Sequence, residues 1–161
     1  MHVFLLDKYI HFYFHTGPYQ LLRNSKNNAV KWLDTYDYEG PYIAVGTGGV
    51  ANFHYVSKFN ISTDFKILQI TNNKLHPEYL YYILNFLKEI INKNAFQGST
   101  LQHLNIKIFE NMLIPYPPFE YQCKIVKQLN KNEEIINKLN IQINNTNTKS
   151  DDIMNKLFTT L

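Results

Sequence analysis

Apolar residues recur at helical spacing in a stretch that opens at His76 and Pro77. Residues three and four apart lie on the same face of a helix, and this stretch places on one face Leu80, Ile83, Leu84, Leu87, Ile90 and Ile91. The polar face is supplied by Lys88, Glu89, Asn92 and Lys93. The pattern predicts an amphipathic helix that ends near Asn94.

A second apolar stripe predicts a long helix from about Glu120 to Asn144. Its positions follow one another in steps of four and three: Ile125, Leu129, Asn132, Ile136, Leu139 and Ile143. Such spacing is typical of a coiled-coil seam, and a single Asn in the seam fixes register at some cost in stability. The residues 144–150, rich in Asn and Thr, are expected to weaken the helix before Ile153. The stripe therefore predicts pairing with a second helix, with packing on the chain's own domain as the alternative.

Between these helices the pattern predicts short strands and turns. Strands are predicted at Tyr42–Val45, Val50–Val56 and Phe65–Ile70, and Gly46–Gly49 is expected to be a tight turn that needs positive φ.

After the first helix, a short helix is predicted at Leu104–Phe109 and a strand at Met112–Ile114, which Pro115 would end. Pro118 suits the first turn of the final helix. The first forty residues give the weakest pattern, with a polar loop near Asn24–Asn28. Trp32 and Leu33 are expected to anchor this segment to the core.

Composition indicates a packed domain with an appendage. The chain has 161 residues, of which 45% are hydrophobic, including 12 Tyr and 11 Phe. No apolar run approaches the roughly 20 residues that span a bilayer. The opening 1–15 lacks a basic start and a small-residue cleavage site, which argues against a signal peptide. The single Cys123 indicates a reducing, intracellular setting, so we expect a cytoplasmic protein without a membrane role.

The net charge of +3 permits phosphate binding without requiring it. Of the 16 basic residues only Arg23 is Arg, so bidentate reading of guanine would be scarce. Base contacts would then come from Asn, Gln, Lys, Ser and Thr side chains.

No pattern of catalytic, metal or cofactor residues stands out. Gly46–Gly49 lacks the Gly-Lys-Ser/Thr ending of a phosphate-binding loop. Tyr116-Pro117-Pro118-Phe119 resembles an adenine methyltransferase motif, but Tyr116 lacks the carbonyl acceptor that the motif requires. Metal-ligand spacing is absent from the histidines, which are His2, His11, His15, His54, His76 and His103. The sequence therefore predicts no catalytic residues, no metal and no cofactor.

The stretch from Gly98 to Leu129 carries a family resemblance. A Gly98-Ser99-Thr100 loop is followed by an apolar segment with the order Ile114, Pro115, Pro117, Pro118, Glu120, Gln122, Ile125, Val126 and Leu129. This order closely resembles the end of a target-recognition domain in the DNA specificity subunits of type I restriction-modification systems. A looser match begins at the glycine turn and continues through Gly49, Phe53, Tyr55, Phe59 and Ser62.

The resemblance implies an α+β fold: a globular target-recognition domain with a mixed or antiparallel sheet and flanking helices, then a long coiled-coil-like spacer helix. The implied domains are 1–118, of which 1–35 match poorly, and 119–161. A full specificity subunit carries two such units, so the chain looks like a half-subunit that self-pairs through the stripe.

The implied function is non-catalytic recognition of double-stranded DNA. The chain would direct a separate methyltransferase subunit, which binds S-adenosylmethionine, and a restriction and translocase subunit to the target. Two alternatives stay open. One is a degenerate or repurposed domain that acts as a helix-mediated interaction scaffold, and the other is a small stand-alone enzyme.

Two polar sets are the candidate DNA contacts. The first surrounds the glycine turn and contains Thr47, Asn52, His54, Tyr55 and Lys58, with Asn60 beside them. The second follows Gly98 and contains Ser99, Thr100, Gln102 and His103. Asn suits adenine edges, and Ser, Thr and Lys suit phosphates or mixed contacts. Ordinary solvated loops, and capping of the Leu104 helix by the second set, are the alternatives.

Overall fold

The structure, a computed structural model, describes residues 3–6, 18–22 and 31–159. In chain order its elements are β1 (Val3–Leu6), β2 (Tyr19–Leu22), β3 (Lys31–Leu33), β4 (Tyr38–Gly46), β5 (Phe53–Ile61), β6 (Phe65–Ile70), α1 (Pro77–Phe86), α2 (Lys88–Ala95), β7 (Phe96–Gln97), β8 (His103–Leu104), α3 (Ile106–Glu110) and α4 (Phe119–Thr159). The predicted polar loop Asn24–Asn28 and three histidines, His2, His11 and His15, lie outside the described residues.

Within the described residues, six strands form one mixed sheet in the order β1-β6-β4-β5-β2-β3. β2 runs parallel to β5, whereas the other neighbouring strands are antiparallel. The register of β4 against β5 shifts between Glu39 and Tyr42. Pro41 lies in that gap and has no N–H to donate to the ladder, which accounts for the irregularity.

Both faces of the central strand β4 are buried. Ile43, Ala44 and Val45 are fully buried in succession, although neighbouring side chains on a strand point to opposite faces. Ala44 belongs to a cluster whose other members are Leu22, Tyr38, Phe59, Ile61, Phe65 and Ile67. On β5, the Tyr55 ring lies 6.1 Å from Tyr81 of α1. The sheet therefore has core on one face and α1 packed against the other.

The predicted amphipathic helix begins where expected, at Pro77, but is divided into α1 and α2 at Leu87. Leu87 has φ −86° and ψ 7°, which lies outside helical values. Ile91 is buried as predicted, whereas Ile90 is 51% exposed. The prediction was wrong for Ile90, which lies at the edge of the predicted apolar face and not at its centre. The helical bonds from Leu87 N–H to the Ile83 carbonyl and from Ile91 N–H to the Leu87 carbonyl, both 2.9 Å, are kept across the division.

Two further predictions are wrong. Residues 112–118 form an irregular connection without strand pairing, and Leu113 in it is 96% exposed. Prolines at 115, 117 and 118 have no backbone N–H, so this segment is poorly suited to a ladder. Trp32 does not anchor the core, because it lies on β3 at the edge of the sheet and is 44% exposed.

The final helix α4 is continuous over 41 residues, so the predicted weakening at 144–150 is wrong. Thr146 Oγ1 donates to the Gln142 carbonyl at 2.9 Å, and Thr148 Oγ1 donates to the Asn144 carbonyl at 3.0 Å. These hydroxyls bond to the preceding helical turn and leave its backbone ladder in place.

The chain divides into two compact units, Met1–Gln122 and Cys123–Leu161. Across the part of the chain that the structure describes, none of the helices combines the length and the apolar character that crossing a membrane requires.

Candidate nucleic-acid interface

The predicted glycine turn is a loop that connects β4 with β5. Gly46 N–H donates to the Asn52 carbonyl at 2.9 Å and closes the loop. Both the backbone N–H and Oγ1 of Thr47 donate to the Asp64 carbonyl, at 2.7 and 3.0 Å. Gly49 has φ +79°, as the pattern predicted. The loop is therefore fixed at both ends, with Gly49 near its tip.

The second predicted set lies on the hairpin of β7 and β8. Phe96 pairs with Leu104, and Gln97 pairs with His103. The predicted residues Ser99, Thr100, Gln102 and His103 are all exposed, as are Gln97 and Leu101. Gly98 has φ +141°, and a Cβ there would lie 2.2 Å from the Leu101 carbonyl oxygen. A glycine is therefore required for this turn.

Backbone hydrogen bonds join the two loops. Gly49 N–H donates to the Gln102 carbonyl at 2.8 Å, and Leu104 N–H donates to the Thr47 carbonyl at 2.8 Å. An antiparallel bridge pairs Gly48 with His103. Two segments about fifty residues apart in sequence thus form one continuous surface, called here the two-loop surface (residues 47–50 and 98–103). It brings Thr47 together with the four polar residues of the second loop.

Asn52, His54 and Tyr55 follow the glycine loop into β5 and are half-buried. The His54 ring lies 5.6 Å from the Phe65 ring. Burial, together with the positive charge of Lys88, lowers the pKa of His54. Burial and the negative charge of Glu78 raise the pKa of Tyr55. These side chains therefore border the two-loop surface while also taking part in packing.

Lys58 is not part of the two-loop surface. It lies five residues beyond Phe53 on β5, about 17 Å along the strand. Its ammonium lies 3.0 Å from Glu39 Oε1 and 5.0 Å from the centre of the Tyr36 ring. The hydrogen bond and the negative charge of Glu39 raise the pKa of Lys58.

Tyr36 completes this exposed group, because its hydroxyl donates to Glu39 Oε2 at 2.8 Å. Hydrogen bonds from Lys58 and Tyr36 lower the pKa of Glu39. Both carboxylate oxygens of Glu39 are therefore engaged, and Lys58 has an acidic partner.

Asn60 was grouped with the surface residues, but it is buried and structural. Its Nδ2 donates to the Thr35 carbonyl at 2.8 Å, and its Oδ1 accepts from Asp37 N–H at 3.0 Å. The period-2 pattern could not show this role, because the partners lie in an irregular segment more than twenty residues earlier.

Two asparagines were missed. Asn92, predicted on the polar face of its helix, accepts a hydrogen bond of 2.6 Å at Oδ1 from Ala51 N–H in the glycine loop. Asn105 caps α3 by accepting from Ile108 N–H at 3.2 Å, and its Nδ2 donates to Gln97 Oε1 at 3.0 Å. Capping by the second polar set is therefore wrong. Asn directly before an apolar segment was the signal for Asn105, whereas nothing in the pattern distinguished Asn92.

The predicted helix stripe lies on α4. Ile125 is 39% exposed and Leu129 is half-buried. Further along, Asn132 is exposed, and more than half of each side chain is exposed at Ile136, Leu139 and Ile143. Large apolar side chains at this spacing form a continuous unpaired face on that part of the helix.

Within the described residues, no group of three His, Cys, Asp or Glu side chains could hold a metal ion. The two-loop surface offers hydroxyl, amide and imidazole groups that donate and accept hydrogen bonds, together with the exposed apolar side chains of Val50 and Leu101.

Residues 8–146 match the protein family described as "Type I restriction modification DNA specificity domain". The chain belongs to this family. The resemblance drawn from Gly98–Leu129 is thereby confirmed, and the long C-terminal helix expected of the fold is α4.

Curated relatives agree with the family assignment. The chain is 34% identical over 122 residues to the type I restriction enzyme MjaVIII specificity subunit of Methanocaldococcus jannaschii, covering 75% of this chain and 28% of that protein. It is 27% identical over 128 residues to the putative type I specificity subunit S.MpnORF507P of Mycoplasma pneumoniae, covering 78% of this chain and 34% of that protein. The chain thus spans about a third of the length of these relatives.

A solved structure shares the fold. The crystal structure of a type I restriction-modification system S subunit from M. genitalium aligns with a TM-score of 0.69 at 19% identity, covering 82% of this chain and 37% of that chain. The α+β fold class expected from the sequence, a mixed sheet with flanking helices followed by a long helix, is confirmed.

Proposed function

We propose that this member of the DNA specificity family recognises double-stranded DNA sequence through the two-loop surface. The observation that carries the proposal is the backbone bonding of Gly49 to Gln102, which joins the partly exposed glycine loop to the exposed polar loop that follows Gly98. The contacts from this surface are proposed to come from Thr47, Ser99, Thr100, Gln102 and His103, and those from its border come from Asn52, His54 and Tyr55. Lys58 is proposed to contact a phosphate further along β5, outside the two-loop surface. Residues 1–118 would form the recognition domain and 119–161 the spacer helix.

The amide and hydroxyl groups of the two-loop surface suit base edges in the major groove. Asn and Gln amides pair with adenine N6 and N7, and Ser and Thr hydroxyls accept or donate as the base requires. Lysines would contact phosphates, which sets register but carries no sequence information. The net charge of +3 agrees with moderate, salt-sensitive affinity.

The exposed stripe on α4 supports self-association. Apolar residues at steps of four and three pair with an equivalent helix, and Asn132 in the seam would fix its register. Two copies related by a twofold axis would present two identical recognition domains. The dimer would read a symmetric DNA site split by a spacer, with the helices setting the distance between half-sites.

The chain itself is proposed to be non-catalytic and to act in the cytoplasm. A separate adenine methyltransferase subunit would supply S-adenosylmethionine and the methyl-transfer chemistry. A restriction and translocase subunit would join the same assembly. Family membership supports this role, and the chain's own contribution would be to choose the DNA sequence.

Selection from a randomised duplex pool tests the proposal. The purified chain is incubated with the pool at moderate salt, and bound DNA is sequenced over successive rounds. An enriched, spaced and symmetric motif is expected. The double variant Ser99→Ala/Gln102→Ala should lose the enrichment, whereas Gln128→Ala, at an exposed position of α4, should retain it. Absence of enrichment for the wild-type chain, whether or not it binds DNA, contradicts the proposal.

Sedimentation velocity tests the dimer separately. The wild-type chain should sediment as a dimer at micromolar concentration, and Leu139→Asp should shift it to monomer, because a carboxylate in an apolar seam loses its hydration. The matched variant Asn140→Asp places the same charge beside the stripe and should leave the dimer intact. A wild-type monomer at high micromolar concentration excludes self-pairing.

A helix-mediated interaction scaffold is the second candidate. It is favoured by apolar exposure that continues past the stripe, at Ile153, Met154, Leu157 and Phe158. Salt dependence separates the two functions, since DNA affinity through several phosphates falls steeply with salt, whereas an apolar helix interface does not.

A further inference from the structure

Asn92 connects helix α2 to the loop that carries Thr47 and Gly49. Its Oδ1 accepts from the backbone N–H of Ala51 at 2.6 Å, which is a short and well-placed hydrogen bond. Ala51 is fully buried and Asn92 is half-buried. A buried backbone N–H that loses its acceptor is costly, so the side chain at position 92 adds a constraint to a loop that backbone hydrogen bonds also hold.

Ala51 sits just after the tip of the glycine loop. The same loop is bonded to the second loop through Gly49 to Gln102 and through Thr47 to Leu104. Asn92 therefore acts on the whole two-loop surface, although its own amide is directed to a backbone group and not to the exposed edge.

We propose that Asn92 is a positioning residue for DNA sequence discrimination. The inference rests on the proposed function of the two-loop surface. Reading a base edge requires donors and acceptors held within about 0.5 Å of their place, whereas attraction to phosphates depends mainly on charge and tolerates small displacements. Loss of the Asn92 bond should therefore weaken discrimination between sequences more than it weakens binding to random DNA.

The second loop has its own tether, which is weaker. Asn105 Nδ2 donates to Gln97 Oε1 at 3.0 Å, but this pair is exposed to water. Water competes for both groups, so the bond contributes little to holding the loop. The partly buried bond from Ala51 N–H to Asn92 therefore constrains the two-loop surface more strongly than the bond between Asn105 and Gln97 does.

Three variants of the full chain test the role. Asn92→Ala removes the acceptor, Asn92→Asp retains an oxygen that can accept from Ala51, and Asn94→Ala makes the same truncation at an exposed position of α2. Two quantities are measured for each. One is hydrogen exchange at the Ala51 and Gly49 amides, and the other is the ratio of affinities for the selected DNA motif and for random duplex.

In Asn92→Ala, exchange at Ala51 should be at least about tenfold faster, because the loop opens locally more often. The affinity ratio should fall by about tenfold or more, while binding to random duplex changes by less than about threefold. Asn92→Asp should restore both quantities towards wild type, and Asn94→Ala should match wild type. Exchange at the other sheet amides separates positioning from a general loss of stability, since global unfolding would speed exchange throughout the sheet. Rescue by Asp shows that the acceptor oxygen at position 92 is responsible.

Unchanged exchange at Ala51 in Asn92→Ala, or an equal loss of affinity for motif and random DNA, overturns the inference. If the wild-type chain binds DNA without selecting a sequence, the proposed function fails. The exchange data then decide alone whether Asn92 fixes the loop.

Discussion

The side-chain oxygen of Gln122 accepts a hydrogen bond of 2.8 Å from the backbone N–H of His76, 46 residues earlier. The Gln122 Nε2 donates to the Lys74 carbonyl at 3.0 Å and to the Pro117 carbonyl at 2.8 Å. Gln122 is fully buried, so these three bonds compensate for the water that its amide loses on folding. The residue fixes the proline-rich connection to the segment that starts α1.

Replacing Gln122 with Met should destabilise the protein by about 2–4 kcal/mol, because a buried N–H and two carbonyls lose a partner while the side-chain volume is kept. Urea unfolding followed by circular dichroism measures the change. Gln128→Met, at an exposed position of α4, should change the free energy of unfolding by no more than about 0.5 kcal/mol. Equal effects of the two substitutions would show that the Gln122 bonds contribute nothing.

Gly49 and Gly98, the two glycines of the two-loop surface with positive φ, should differ in how much an alanine substitution lowers the free energy of unfolding. At Gly49 a Cβ would meet nothing within 4 Å, so Gly49→Ala should cost about 1–2 kcal/mol for the left-handed backbone alone. At Gly98 the Cβ would lie 2.2 Å from the Leu101 carbonyl oxygen, which belongs to the backbone and cannot rotate away. Gly98→Ala should cost about 3 kcal/mol or more. Urea midpoints compare them, and a smaller cost at Gly98 than at Gly49 would refute the close approach of the Leu101 carbonyl in this turn.

Sequence patterns predicted what is local to each segment. Pro77 marked the first turn of α1, and the order from Gly98 to Leu129 identified the family. Patterns could not reveal that Gly48 pairs with His103, because that bridge joins segments whose own periodicity is indifferent to the partner. The hydrogen bond of Asn92 to the Ala51 N–H was not predicted, for a related reason. A polar residue on a polar helix face has the same periodicity whether it meets water or a backbone amide.

The predicted long helix is present as α4, and only the prediction of weakening at 144–150 failed, for a different reason. Thr and Asn have low intrinsic helix propensity, which argued for weakness at 144–150. In the structure Thr146 and Thr148 bond back to the preceding turn and the helix continues. Intrinsic propensity is a weak guide where side chains can form their hydrogen bonds with backbone carbonyls of the same helix.

Burial of His54 makes the stability of the protein dependent on pH. Its pKa is lowered from the ordinary 6.5, first by desolvation and then by the charge of Lys88. The unfolded chain therefore binds a proton more readily than the native one. The free energy of unfolding should hold its full value above pH 6.5 and fall as the pH drops below it. Equilibrium urea unfolding from about pH 5 to 8 measures the slope.

The substitution His54→Gln removes this titration, so the variant should lose part of the slope below pH 6.5. His103→Gln, at an exposed position, serves as the matched comparison. If His54→Gln and the wild type show identical pH profiles, protonation of His54 is not linked to folding.

Asn132 should weaken self-association while fixing the register of the two paired helices. Replacing it with Leu adds an apolar group to the seam in each copy, and burying such a side chain contributes about 1.5–3 kcal/mol. Asn132→Leu should therefore tighten the dimer by about tenfold or more and admit higher or shifted assemblies. Sedimentation equilibrium measures both effects. Asn137→Leu, beside the stripe, should leave the dissociation constant within about threefold of wild type, and tightening by that variant would argue against the assigned seam.

Glu39 should restrain the affinity for DNA by holding Lys58. Their side chains meet at 3.0 Å in an exposed position, and Tyr36 occupies the other carboxylate oxygen. Glu39→Gln removes the negative charge but keeps an acceptor for Tyr36, so the Lys58 ammonium becomes available to a phosphate. Each added phosphate contact steepens the dependence of log K on log salt by about 0.9. Glu39→Gln should therefore bind more tightly at low salt and show this steeper slope in fluorescence anisotropy titrations. Glu110→Gln makes the same charge change at another exposed position and should raise affinity only slightly with an unaltered slope. Identical slopes for the two variants would mean that Lys58 makes no phosphate contact once its acidic partner is removed.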